Sequence, residues 1–304
     1  MFIIKNAGYI IGAGTLWGII SLFVNALKEL GFNSIQCVAI RVFFAACIMV
    51  IYLLIKDKSL LRIQLKDIKY FIGTGVFSIV LFNYCYFEAI EVIGGASVPA
   101  LLLYMAPIFV MILSFFLFEE KITKQKVAAL IMTFIGLGFV TGAFTGSETL
   151  SVSALFLGLG SGFGYALYSI FGKMVVEKYN ALTITAYTFI VAAVVVVPFS
   201  GVIPRISLVI NIKGIGAVFG LSFFSTVLAF LLYTKGLTKI EAGKASILAT
   251  IEPFVAAIVG AVFYQERFTA SKIVGMLFIV AAIILLNLPK RRKEAIAYED
   301  EIQH

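Results

Sequence analysis

Residues 96–118 read ASVPALLLYMAPIFVMILSFFLF, twenty-three residues without a single charge. At 1.5 Å of rise per residue, about 20 apolar residues cover a bilayer's hydrocarbon core of about 30 Å. The stretch is long enough to cross and too apolar for a surface helix. Nine further runs of the same kind flank it. Together the ten segments lie near 7–27, 35–55, 69–90, 96–118, 126–144, 152–172, 181–199, 213–234, 243–264 and 271–289. Barrel strands would read as ten-residue stretches of alternating polarity, and an open sheet would leave backbone groups unpaired in lipid. The sequence therefore predicts an all-α integral membrane protein of ten transmembrane helices. The longest connections, near 56–68 and 200–212, leave no room for a soluble domain.

Composition agrees. The chain is 62% hydrophobic and 13% charged, whereas soluble domains are nearer half apolar and a quarter charged. A net charge of +8 raises nucleic acid as a partner, but the placement of the charges argues against it. With the N-terminus set in the cytoplasm, 18 Lys and Arg fall on cytoplasmic segments and 5 on outer loops, with Arg41 inside a span. Basic residues concentrate on the cytoplasmic side of membrane proteins, so both termini are expected there, in a multi-pass protein of the cell membrane. The first apolar run is read as an uncleaved span and not a signal peptide, since no small-residue cleavage site stands out. Cys37, Cys47 and Cys85 lie within apolar stretches at spacings that suit neither a metal site nor a disulfide framework.

The two halves match at an offset of 146. Gly12, Gly14 and Gly18 fall on Gly158, Gly160 and Gly164; Pro107 falls on Pro253; Glu120, Thr123 and Lys126 fall on Glu266, Thr269 and Lys272. This predicts repeats over 1–146 and 147–289, followed by a polar cytoplasmic tail, 290–304. Five spans per repeat make the second copy enter from the opposite face. Inverted repeats of this kind place a transporter's substrate site near the midplane, between the halves.

The stretch 86–123, YFEAIEVIGGASVPALLLYMAPIFVMILSFFLFEEKIT, resembles the fourth-span region of the drug/metabolite transporter superfamily, EamA type. Residues 244–269, KASILATIEPFVAAIVGAVFYQERFT, are similar to the second copy of that module. The resemblance covers nearly the whole chain but is not specific to a substrate. It implies ten spans, both termini inside, alternating access, and a central cavity lined by spans 1, 3, 4, 6, 8 and 9. Members of the superfamily carry amino acids, other metabolites, nucleotide sugars or toxic compounds, and many bacterial ones are exporters.

Four groups of residues are candidates for the site. Pro107 and Pro253 lie near mid-membrane, where proline frees a carbonyl one turn earlier. That carbonyl either binds substrate or ion at a hinge, or belongs to a static kink. Glu252 precedes Pro253, and a carboxylate at that depth is costly unless paired or protonated. It is read either as the carrier of a coupling proton or contact for a cationic substrate, or as a gating and structural group. Arg41, two turns into span 2, either snorkels outward, pairs with Glu88 or Glu91, or meets an anionic substrate. Trp17, Asn83, Tyr84, Tyr104, Tyr165, Tyr168 and Tyr233 lie in spans that the resemblance assigns to the cavity, and buried phenols and indoles need partners. Ser246 and Thr250 add hydroxyls within a turn or two of Glu252. The Gly14/Gly18, Gly138/Gly142 and Gly160/Gly164 pairs are read as faces for close helix packing, which leaves a homodimer open.

The sequence holds no phosphate-binding glycine loop and no metal-ligand cluster, and its one histidine is His304. No cofactor or metal is expected, nor catalysis. The expected partners are a small-molecule substrate, membrane lipid and a coupling proton. The function expected is secondary active transport of a small metabolite, by export or exchange of an amino acid or related compound. The alternatives are efflux of cationic or toxic compounds, and a non-transporting membrane receptor.

Overall fold

A computed structural model describes residues 2–144, 151–267 and 269–288. The proposed boundary at 146/147, the end of the last span at 289 and the tail 290–304 lie outside the described residues. Ten helices are long and apolar enough to cross a membrane: spans 1 to 10 are Asn6–Glu29, Ser34–Lys56, Leu65–Ile93, Ser97–Phe118, Lys124–Thr141, Val152–Val175, Ala181–Phe199, Ile212–Leu237, Ala242–Tyr264 and Ala270–Asn287. Among the described residues there is no strand.

The packing of the spans is symmetric under exchange of the halves. Span 1 packs on spans 8 and 9, and span 6 packs on their counterparts, spans 3 and 4. Spans 2 and 7, 4 and 9, and 5 and 10 pair with their own counterparts. Short connections make successive spans alternate in direction, so span 6 runs opposite to span 1. The chain is two inverted five-helix repeats.

Local sequence accounts for the helix limits. Asn33 and Gln36 form a capping box at the start of span 2, and Asn180 caps span 7. Thr123 and Thr269 cap spans 5 and 10 through bonds of 3.2 Å from the N–H groups of Lys126 and Lys272. Two irregularities recur in both halves. Spans 3 and 8 widen into π-helical turns over Gly73–Val80 and Gly220–Leu228, a form concentrated at functional sites. Spans 4 and 9 break midway, between Leu103 and Ala106 and between Leu248 and Ile251, with Pro107 and Pro253 in the first turn of each second half.

The glycine register differs from the sequence match. An added carbon on Gly14 would lie 2.7 Å from the Ala249 carbonyl oxygen; one on Gly162 would lie 2.7 Å from that of Leu102 and 3.1 Å from that of Leu103. Trp17 meets Phe230 edge-on at 5.0 Å, and Tyr165 meets Phe82 in the same manner at 5.5 Å. The counterpart of Gly14 is thus Gly162, not Gly160, and that of Trp17 is Tyr165. The offset is 148 in spans 1 and 6 and 146 across spans 4 and 9. The glycine triplet in the sequence matched two residues out of step, because connections and π turns of unequal length absorb the difference.

Candidate functional site

The prolines set the site's backbone. Each removes the N–H that would bond the carbonyl four residues earlier, Leu103 for Pro107 and Ala249 for Pro253. Gly162 and Gly14 bring their backbones directly against those carbonyls. Ala249 also accepts the Glu252 N–H at 3.0 Å. The freed carbonyls are therefore covered by neighbouring glycines, and both prolines are buried. Both kinks are thus closely packed against spans 1 and 6.

The break in span 9 turns the Glu252 side chain inward. The Tyr165 hydroxyl donates to its carboxylate at 3.2 Å, and Tyr104 lies within interaction range of the same group. Tyr86 and Arg41 lie within electrostatic range of it. Glu252, Tyr104, Tyr165 and Tyr86 are all partly exposed. Arg41 is only 6% exposed, on a face of span 2 that it shares with buried Cys37, Val38 and Ala45.

Arg41 does not pair with Glu88 or Glu91. Among the described residues no carboxylate reaches it as an ion pair, and its Nε has no partner. Arg41 points into the bundle, whereas Glu88 and Glu91 line a separate cavity of about 400 Å³ with Lys28, Asn33 and Phe87. That cavity lies where span 1 ends, span 2 begins and span 3 ends, on the face opposite the start of span 1.

Toward the other face the centre is plugged by rings. Trp17 contacts Tyr165, Phe230 and Tyr233 with centroids 6.0, 5.0 and 5.3 Å away. Tyr168 meets Phe230 at 4.8 Å. Hydroxyl pairs of 2.7 Å, Tyr168 with Thr234 and Tyr233 with Ser169, tie span 6 to span 8. Only about 10 Å³ of space is left among these groups, on the order of one water. Trp17 Nε1 and Ser78 Oγ, both without a partner among the described residues, belong to side chains that border it.

Trp17, Tyr104, Tyr165, Tyr168, Tyr233, Glu252 and Arg41 thus converge. Four predicted residues do not. Tyr84 is 54% exposed and points out of the bundle; it is one position off the inward face held by Phe82, Asn83 and Cys85. Asn83 is buried, and its amide donates to the Ile79 carbonyl of its own helix at 2.7 Å, beside the π turn. Ser246 and Thr250 return their hydroxyls to Gly243 and Ile247 at 2.9 and 2.6 Å, which occupies them in the kink of span 9. Tyr86, Phe82 and Phe230 were not singled out from the sequence. Helical spacing was the available signal, since Phe82 and Tyr86 are four apart on one face of span 3.

The EamA-like transporter family matches residues 5–142 and again 152–288. The chain belongs to that family. The EamA-like transporter is 27% identical over 276 residues to an uncharacterized transporter of Archaeoglobus fulgidus, covering 90% of this chain and 95% of the relative. It is 29% identical over 236 residues to the uncharacterized transporter YyaM of Bacillus subtilis, covering 75% and 76%. It is 26% identical over 291 residues to the uncharacterized inner membrane transporter YicL of Salmonella typhimurium, covering 92% and 94%. A solved crystal structure superposes with a TM-score of 0.78 at 18% identity, covering 95% of this chain and 99% of the other. The fold is that of a known structure, and the protein is a multi-pass membrane transporter.

Proposed function

We propose that this transporter carries a small zwitterionic metabolite of the amino-acid class by alternating access, with its N-terminal face in the cytoplasm. The observation that carries the reading is Arg41, a buried guanidinium that among the described residues has an unpartnered Nε and no carboxylate in contact, within electrostatic range of Glu252. Burying an unpaired charge costs several kcal/mol. A ligand carboxylate at Arg41 offsets that cost, and guanidinium binds carboxylates in a fixed two-pronged geometry. Glu252 with its tyrosines then receives the ammonium. Trp17, Tyr165 and their ring neighbours supply an apolar wall for the side chain.

Glu252 is also the group suited to carry a coupling proton, since it is a carboxyl at mid-membrane that accepts from the Tyr165 hydroxyl with Tyr104 beside it. Efflux of an organic cation is the second reading. The aromatic wall around Glu252 favours it, and the buried cation Arg41 opposes it.

The test is counterflow of radiolabelled amino acids in proteoliposomes, with an organic cation as the parallel substrate. Amino-acid flux is expected, reduced at least about tenfold by Arg41→Ala and by Glu252→Gln, each of which removes a charge-assisted contact. Cation flux without amino-acid flux overturns the zwitterion reading. Full rate and unchanged pH dependence in Glu252→Gln remove the coupling role.

A further inference from the structure

The two repeats end their fourth and ninth helices in one chemical module. Glu119 and Gln265 both adopt the left-handed conformation, with φ 56° and 55°, which is uncommon for residues other than glycine. The N–H groups of Glu120 and Glu266 then bond back to the carbonyls of Ser114 and Gly260, at 3.3 and 3.1 Å. Lys126 sits 3.7 Å from Glu120, and Lys272 sits 2.6 Å from Glu266.

What the two glutamates do differs. Glu120 accepts the N–H groups of Ala242 and Gly243, at 2.6 and 3.0 Å, at the very start of span 9. It is 8% exposed. The offset of 146 makes Ala96 and Ser97, where span 4 starts, the counterparts of Ala242 and Gly243. Among the described residues Glu266 accepts nothing from that segment, and its side chain is 51% exposed. The engaged glutamate is on the face where span 1 begins, the face plugged by rings. The disengaged one is on the face that holds the 400 Å³ cavity.

We propose that Glu120 and Glu266 are alternating gate latches. Glu120 clasps the start of span 9 and seals the N-terminal face, as seen here. In the opposite state Glu120 lets go, and Glu266 clasps the N–H groups of Ala96 and Ser97 to seal the other face. The inverted symmetry supplies the second state: a contact made by one repeat has a matching donor and acceptor waiting in the other. A carboxylate accepting two backbone N–H groups is a charge-assisted contact strong enough to hold a gate, yet it breaks without loss of fold because water satisfies both sides on an open face.

The latch rests on alternating access but not on the substrate assigned above, so its test uses no substrate. Hydrogen–deuterium exchange is followed by mass spectrometry on the purified full chain in nanodiscs. Glu120→Ala is expected to speed exchange in the first turn of 242–248 by about fivefold, toward the rate of open backbone, as the latched state loses its hold. It should also slow exchange in the first turn of 97–103, and adding Glu266→Ala should abolish that slowing. Equal exchange at 97–103 in the single and double variants overturns the proposal. Glu266→Ala alone gives a second reading on protein whose inner latch is intact. Removing the competing latch makes opening of the N-terminal face rarer, so exchange at Ala242 and Gly243, far from the substitution, slows by at least roughly tenfold. No change there also overturns it. Absent amino-acid flux with the exchange pattern intact refutes only the substrate reading.

Discussion

Gly162 is where the broken helix of span 4 meets span 6, and a methyl group there tests whether that contact is as close as the structure has it. In Gly162→Ala the new carbon starts 2.7 Å from the Leu102 oxygen and 3.1 Å from the Leu103 oxygen, both backbone atoms that no rotamer change can move. Ordinary contact begins at 3.4 Å, so spans 4 and 6 must separate by several tenths of an ångström at the kink. Overpacking of this kind costs about 1–3 kcal/mol. Alanine returns about 1 kcal/mol through helix propensity, which leaves a net destabilisation of about 0–2 kcal/mol. Gly216→Ala is the control. Gly216 also lies within a helix, but nothing stands within 4 Å of its added carbon, so only the propensity gain remains and the variant should be slightly more stable.

The assay is the apparent melting temperature of the purified protein in one detergent, scanned at one rate. At about 2–4 °C per kcal/mol, Gly162→Ala should fall by up to about 8 °C while Gly216→Ala stays level or rises. If Gly162→Ala melts at or above the parent, the kinked carbonyls are not held against span 6, and the reading of Pro107 as a packed kink fails with it. The same logic applies to Gly14, whose added carbon would lie 2.6 Å from Ile251 Cγ2 and 2.7 Å from the Ala249 oxygen.

Three other perturbations separate parts of the site. Lys126→Met leaves the buried Glu120 without its cation and should cost about 3–5 kcal/mol, whereas Lys272→Met breaks a pair with one exposed partner and should cost about 0–1 kcal/mol, both by thermal unfolding. Tyr165→Phe removes the 3.2 Å bond to Glu252 and should slow counterflow by roughly tenfold or less while melting stays within a few degrees of the parent; unaltered counterflow would separate Tyr165 from the site. A double-mutant cycle of Tyr233→Phe and Ser169→Ala should give a coupling of about 0.5–1.5 kcal/mol for their 2.7 Å bond, and additive losses would mean the pair does not hold spans 6 and 8 together.

The ten spans were legible because a helix in lipid needs a long apolar run, and each run is visible in the chain on its own. The duplication was legible for a related reason: Pro107 and Pro253, or Glu120 and Glu266, are rare enough in such a background to stand out. Side-chain direction was less so. Arg41 was given three partners from its depth alone, and its inward face emerges only from what spans 2 and 7 bury together. Tyr84 was placed in the cavity by its span, but neighbouring positions on a helix face 100° apart, and a π turn earlier in span 3 changes the phase. Ser246 and Thr250 read as free hydroxyls in sequence, yet in broken helices such groups bond their own backbone. The role of Glu120 was the least visible. It needed the start of span 9, more than a hundred residues onward, to be brought against it.

The latches are matched in design and unequal in strength, and the inequality sets which state the free protein prefers. Lys126 reaches a second carboxylate, Glu241, at 2.7 Å. The same offset that relates the two modules puts Gly95 where Glu241 would be repeated, so among the described residues Lys272 has no counterpart of that third member. The engaged latch therefore ties three charges across the junction of spans 4, 5 and 9, and among the described residues the opposing one ties two. With the backbone contacts equal, the extra pair tilts the equilibrium toward the state seen here, sealed on the N-terminal face. Half of Lys126–Glu241 is exposed, since the Glu241 side chain is 55% accessible, so the tilt is expected to be no more than about 1 kcal/mol, enough to bias the two states about fivefold and small enough for a bound ligand to reverse. Glu241→Gln should thus equalise exchange between the first turns of 97–103 and 242–248 without unfolding the protein. A variant that keeps the parent's bias would place its origin elsewhere, in the ring plug and the hydroxyl pairs between spans 6 and 8.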